Sequence, residues 1–245
     1  MRTRGGAGAG RGRVSAVRSR VDDLGLGPLP TEPATGFYAR VGKPALDRVG
    51  ATLGLLACVP LLLLCSVAIR LEGRGSVFFR QERIGLLGRP FRVWKLRTMV
   101  PNAERLGTGL LVQQDDPRVT RVGRILRATS LDELPQLLNV VRGEMSLVGP
   151  RPTVASQVRQ YDAFQRQRLR LRPGMTGLAQ IRGRKSLTWE ERIRLDVAYL
   201  ERLSLAADLR ILAGTVRVVL GAKDPPAKAD YWGESARGET GEDAP

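Results

Sequence analysis

Residues 49–69 read VGATLGLLACVPLLLLCSVAI, an almost wholly apolar run around which the rest of the chain is organised. A helix of roughly 20 such residues crosses the hydrocarbon of a bilayer. Two features oppose a plain span. Pro60 sits at the centre of the run, where proline removes a backbone hydrogen bond and kinks or breaks a helix. Basic residues flank both ends, Lys43 and Arg48 before it, Arg70, Arg74 and Arg80 after it. The charge asymmetry that orients a spanning helix is therefore missing. A re-entrant hairpin, entering and leaving on the cytoplasmic side, satisfies both observations and stands beside a straight span as the alternative. The core helix of a soluble domain is opposed by the scarcity of polar residues in the run. Cys58 and Cys65 both lie in it, seven residues apart, so a helix would put them on one face without letting them pair. They read as small hydrophobes and say nothing of redox compartment.

The 245 residues suffice for one domain with appendages, and the net charge of +16 with a pI of about 11.2 calls for a polyanionic partner. Nucleic acid, an anionic membrane surface and a phosphorylated substrate all qualify. Aromatic residues make up 5 %, too few for a stacking platform on single-stranded nucleic acid. Histidine is absent, which excludes Ser-His-Asp and Cys-His catalysis and His-based zinc sites.

Residues 1–40 are rich in Gly and Arg without apolar period and read as a disordered basic arm, with no secretory signal. Val77 to Met99 reads as two strands around a Gly85–Gly88 turn. There Lys95 and Arg97 fall on one face of the second strand, either solvated or aimed at phosphate. Thr108 to Pro117 reads as a loop, and Arg118 to Arg127 as a short basic amphipathic segment.

Thr129-Ser130-Leu131-Asp132-Glu133-Leu134-Pro135-Gln136-Leu137 follows, with apolar residues at helical spacing through Val141. Ser130 as N-cap puts Glu133 at the third helical position, which predicts a capping box. Acidic residues stabilised at a helix start are the ordinary reading. The functional reading uses the same physics. Carboxylates kept ionised there suit attack on phosphorus and the holding of a hard cation such as Mg²⁺. Gly149-Pro150-Arg151-Pro152 fixes Arg151 in a stiff loop suited to bidentate phosphate binding. Val154 to Arg172 reads as a basic helix, at a membrane interface or packed on the core. Arg172 to Gly177 reads as a turn, Leu178 to Ile181 as a short strand, and Trp189 to Tyr199 as a helix. Leu205, Leu209, Leu212, Val216 and Val219 form an apolar stripe, core or membrane-facing. From Asp224 the chain turns acidic and Pro/Gly-rich, a disordered tail.

In this order the pieces resemble the bacterial sugar transferases, the monotopic phosphoglycosyl transferases, over roughly residues 43–221. The resemblance rests on the Pro-containing apolar run, Gln81 to Gly85, Lys95 to Met99, Ser130 to Gln136, Gly149 to Pro152, Arg172 to Gly177 and Leu195 to Tyr199. It implies transfer of a phosphosugar from a nucleotide diphosphate sugar, with a UDP-sugar as the expected donor, to polyprenyl (undecaprenyl) phosphate. That step starts exopolysaccharide, O-antigen, capsule or glycoprotein glycan synthesis. By the same resemblance Asp132 is the nucleophile that forms an aspartyl-phosphosugar, Glu133 the Mg²⁺ ligand, and Lys95, Arg127, Arg151 and Arg184 the phosphate- or nucleotide-holding residues. The apolar run is then the re-entrant helix, broken at Pro60, that holds the site at the cytoplasmic face of the inner membrane. Val59 stands where family members often carry a serine, and no histidine stands near Arg168 or Leu169, where members often carry one.

The expected fold is α+β, a mostly helical membrane-associated domain with a re-entrant N-terminal helix, short strands and interfacial amphipathic helices. It divides into a basic arm over 1–40, a catalytic domain over 41–223 containing the membrane helix 49–70, and a tail over 224–245. No nucleic-acid partner is expected, and later glycosyltransferases of the same pathway are candidate partners. The rival reading is a membrane-tethered basic protein that binds nucleic acid or anionic lipid without catalysis. It leaves unexplained why two carboxylates stand among so many arginines.

Overall fold

The computed structural model describes residues 21–103, 106, 116–183 and 186–221. Most of the 108–117 loop and the tail from 224 lie outside the described residues. The architecture is mostly helical α+β, with a long apolar N-terminal helix and short strands, as the sequence predicts.

Helix α1 runs Lys43–Glu72, entered through a π-helical turn at Tyr38–Gly42. It is continuous through Pro60, so the expected break is not an interruption of the helix. Proline forfeits one bond of the ladder, and the apolar turns on either side keep theirs. One face, with Ala51, Cys65 and Ile69, is buried, while Leu46, Leu53, Leu56, Leu63, Leu64 and Leu71 stay exposed. Only 11 % of the most apolar stretch is buried, which is not how the core helix of a soluble domain sits. Gly50 and Gly54 bring α1 against Leu147 and Leu137.

Both ends of α1 are fastened by polar contacts. Lys43 Nζ donates to Asp208 at 2.6 Å, and Asp47 accepts from Ser146 Oγ at 2.6 Å and from the Leu147 N–H at 3.1 Å. At the other end Arg97 donates to the carbonyls of Ile69, Gly73 and Arg74. Glu72 accepts from the N–H groups of Arg121 and Val122, at the start of α2 (Arg121–Ala128). The helix thus lies along the domain and is fastened to it at both ends.

Strands β1 (Phe78–Ile84) and β2 (Pro90–Leu96) form the expected antiparallel hairpin, with Phe79 opposite Lys95. Helix α3 spans Gln136–Val141, and β3 (Ser146–Val148) pairs in parallel with β4 (Gly174–Thr176). Strand β4 lies where the sequence reads as a turn. Its glycine is there for close approach: a Cβ on Gly174 would meet the Gly149 nitrogen at 2.1 Å. Leu178–Arg182 is helix α5, not a strand; an apolar run that short does not separate the two periods.

Val154 to Arg172 is not one interfacial helix. It divides into α4 (Ala155–Arg159) and a 3₁₀ turn at Gln165–Arg170. The break follows from Asp162 and Gln165, each of whose side chains accepts from the other's N–H and so starts the second turn afresh. Val158, Tyr161, Leu169 and Leu171 are buried in the core. Helix α6 (Trp189–Glu201) opens on a capping box of Thr188 and Glu191. In α7 (Leu205–Gly221) Ile211 is buried, whereas Leu205, Leu209, Val216 and Val219 of the apolar stripe are exposed.

Of the residues expected in a disordered arm over 1–40, 1–20 lie outside the described residues, and the rest are placed against the domain. Leu26 is 2 % exposed in a cluster with Ile84, Val158 and Ile193, and the Ala34 N–H donates to the Arg170 carbonyl. Leu24, Leu26 and Leu29 are spaced by glycine and proline, so they carry no periodic signal although they are anchors.

Candidate active site

Ser130 does not cap a helix. It adopts the left-handed conformation at φ 58° with no side-chain capping bond, and Leu131–Glu133 forms a 3₁₀ turn before Pro135 opens α3. The expected capping box is absent because the Glu133 side chain turns away from the Ser130 backbone to two cations. Its Oε1 lies 2.7 Å from Lys95 Nζ and 3.3 Å from Arg151 Nη2. The left-handed residue redirects the chain out of α2, so both acids project toward the second strand of the hairpin and the Arg151 loop.

Asp132 is 8 % exposed, with Oδ2 4.0 Å from Lys95 Nζ. Burial raises its pKa from the ordinary aspartate value. The charge of Glu133 adds to that rise, and Lys95, Arg127 and Arg151 oppose it. Asp132 is thus not held ionised by a helix start, as the sequence suggests. Glu133 goes the other way. Burial pushes it up, but Lys95 and Arg151 outweigh burial and hold it at about 2.

Lys95 and Arg151 are therefore brought onto the dyad. Arg127 donates from Nε to Thr98 Oγ1 at 2.8 Å. Burial lowers its pKa, and the charges of Asp132 and Asp116 act on it in the opposite sense. Arg97 is not brought in: its guanidinium serves the C-terminal carbonyls of α1. It follows the last residue of β2, so the strand alternation that paired it with Lys95 stops short of it. Pro60 lies within α1, and Arg184 lies outside the described residues.

Two residues that sequence reasoning did not single out support this cluster. Arg168, 4 % exposed, donates to the Arg151 carbonyl at 3.0 Å, to Asp196 at 2.6 Å and to the Tyr161 hydroxyl at 2.6 Å. Asn139, fully buried, bonds the backbone of β2 on either side of Val93. For Asn139 the signal was a polar residue at a core position of an apolar helical period, between Leu138 and Val140; for Arg168 it was the family departure at that position.

The sequence profile of the bacterial sugar transferases matches residues 38–222. The exopolysaccharide production protein ExoY of Sinorhizobium fredii is 42 % identical over 208 residues, covering 78 % of this chain and 91 % of that protein. The UDP-glucose:undecaprenyl-phosphate glucose-1-phosphate transferase of Caulobacter vibrioides is 46 % identical over 203 residues, covering 79 % of this chain and 73 % of its own length. The galactosyl transferase CpsE of Streptococcus agalactiae is 42 % identical over 197 residues, covering 75 % of this chain but 44 % of CpsE, so the chain spans less than half of that relative. The Asp-Glu dyad with its converging cations, the hairpin and the apolar helix all fall inside the matched region, and the chain belongs to the bacterial sugar transferase family.

Proposed function

We propose that this protein transfers a sugar 1-phosphate from a nucleotide diphosphate sugar to polyprenyl phosphate at the membrane surface, starting exopolysaccharide or a related surface glycan. The observation that carries this reading is the convergence of Lys95 and Arg151 on Glu133 beside a buried Asp132. Two acids with opposite pKa tendencies at one site suit division of labour. Relatives named for glucose and for galactose support the reaction class and leave the sugar open.

In the first half, an Asp132 carboxylate oxygen attacks the phosphorus that bears the sugar. The bond from that phosphorus to the bridging oxygen breaks, and nucleoside monophosphate leaves with the electron pair. In the second half, a phosphate oxygen of polyprenyl phosphate attacks the same phosphorus and frees the Asp132 carboxylate. No general base is needed when Asp132 is ionised, the state that Lys95, Arg127 and Arg151 favour against its burial, and the acceptor phosphate is itself an anion, which suits a chain without histidine. Lys95, Arg127 and Arg151 offset the charge that accumulates on the phosphoryl oxygens.

The donor set fits Mg²⁺ shared with a substrate. Glu133 is kept anionic and Asp132 adjoins it in the chain, so the pair offers hard carboxylate oxygens that could be completed by substrate phosphates. Glu133 is the residue to hold that ion, which when bound neutralises diphosphate charge.

Helix α1 supports a monotopic placement. Both of its ends are fastened to the catalytic domain and its leucines are exposed, an arrangement that would keep the domain on one side of the membrane with those leucines in lipid. The non-catalytic alternative is opposed by the same cluster, since acids set among the cations weaken polyanion docking.

The test is purified protein in lipid nanodiscs with a panel of UDP-sugars, undecaprenyl phosphate and Mg²⁺. UMP release matched by transfer of sugar label to the lipid fraction is the expected result. Tight binding of nucleic acid or anionic vesicles without UMP release from any sugar would overturn the proposal.

A further inference from the structure

The Asn139 amide lies between the two elements that carry the cluster. Its Oδ1 accepts from the Trp94 N–H at 3.0 Å, and its Nδ2 donates to the Arg92 carbonyl at 2.8 Å and to Glu144 at 2.7 Å. The side chain therefore pairs with β2 along the edge that β1 leaves free, as a strand would. Its backbone carbonyl accepts from the N–H groups of Glu144 and Met145, which fixes the turn after α3. Both amide hydrogens and the amide oxygen are used, at a residue with no exposure.

The position of this grip matters more than its strength. Trp94 immediately precedes Lys95, and α3 begins three residues after Glu133. A strand whose register slips by one residue turns every side chain to the opposite face. A slip of β2 against α3 would carry Lys95 away from Glu133.

We propose that Asn139 is a positioning residue for phosphosugar transfer, setting the register of β2 against α3 and so holding Lys95 on the acidic dyad. This rests on the transfer reaction proposed above. It differs from a merely structural role in requiring that loss of the amide release Lys95 specifically.

Mass-spectrometric acetylation with acetic anhydride reads that release in the full-length protein in nanodiscs, without relying on activity. Lys43, buried in its own ion pair with Asp208 far from β2 in sequence, reports whether the fold is intact. In Asn139→Asp, Lys95 should acetylate severalfold faster than in the unmutated protein while Lys43 stays protected. The kcat for UMP release should fall about tenfold to a hundredfold, as for misplacement of a catalytic group by about 1 Å. KM for the UDP-sugar should change much less. Asn139→Ser, which adds no charge beside Glu144, is read in the same way if the aspartate variant exposes Lys43. Unchanged protection of Lys95, or exposure of Lys43 in parallel with it in both variants, would overturn the proposal. Released Lys95 with undiminished turnover would also overturn it, and would place the fault in the part given to Lys95 in the reaction itself.

Discussion

Lys95 Nζ lies 2.7 Å from Glu133 and 4.0 Å from Asp132, so one cation serves two adjacent acids unequally. Glu133, which also meets Arg151, is held at about 2, while burial raises its neighbour. Lys95→Met should therefore lower kcat about a hundredfold, the scale of losing one preorganised charge at a phosphoryl centre. Adding Glu133→Gln to Lys95→Met should cost far less than Glu133→Gln costs alone, because the two act as a unit. Steady-state UMP release over the four proteins checks this, and multiplicative losses would contradict it.

Ser130 sits in the left-handed region without a capping bond. A serine N-cap loses about 0.5–2 kcal/mol on replacement by alanine and a few tenths of a kcal/mol on replacement by glycine, so a capping serine would be weakened by either change. Left-handed backbone instead favours glycine, which is relieved of about 1–2 kcal/mol of Cβ strain and gives back about 0.5–1 kcal/mol in chain entropy. Ser130→Gly should be neutral or slightly stabilising, and Ser130→Val clearly destabilising. Thermal denaturation in detergent separates the two expectations.

Leu26 is 2 % exposed, in the segment that composition assigns to a disordered arm. Leu26→Ala should cost about 2–5 kcal/mol, the range for emptying a core leucine site. Turnover per folded molecule should stay near that of the unmutated protein, because Leu26 packs in the cluster of Ile84 and Val158 and not on the dyad. An unchanged melting temperature would show that the segment is not part of the core.

Arg97 donates to three carbonyls at the end of α1. Arg97→Gln should lower the melting temperature, since removal leaves the helix end without its cation. KM for the UDP-sugar should move little. A large rise in KM with unchanged stability would restore Arg97 to phosphate binding.

What was readable in the chain was local. Alternation about Gly85 and Gly88 marks the hairpin, the stretch from Trp189 to Tyr199 marks α6, and the apolar run marks α1. What was hidden depends on distant partners. Gly174-Met175-Thr176 becomes a strand through its pairing with Ser146 and Val148, and nothing in its own composition says so. Asn139 reaches a strand edge 45 residues away, and Lys95 reaches Glu133 across 38. Arg168 reads as one of many surface arginines until Asp196 and Tyr161 bury it. For the dyad the sequence names the two acids, but the left-handed Ser130 and the opposite pKa tendencies arise only when the hairpin and the Arg151 loop close on them.

The central claim is that the phosphosugar rests on Asp132 between the two halves of the reaction. The most direct measurement is the intact mass of the protein after a single turnover with UDP-sugar and Mg²⁺ in the absence of polyprenyl phosphate, quenched rapidly. The covalent mechanism predicts that the unmutated protein gains the mass of one phosphosugar, mapped to the peptide containing Asp132, with release of one UMP. It predicts that Asp132→Asn is folded, membrane-bound, unmodified and inactive. A phosphosugar adduct on Asp132→Asn, or UMP release that occurs only with lipid acceptor and leaves the unmutated protein at its native mass, would contradict it and favour direct attack by polyprenyl phosphate.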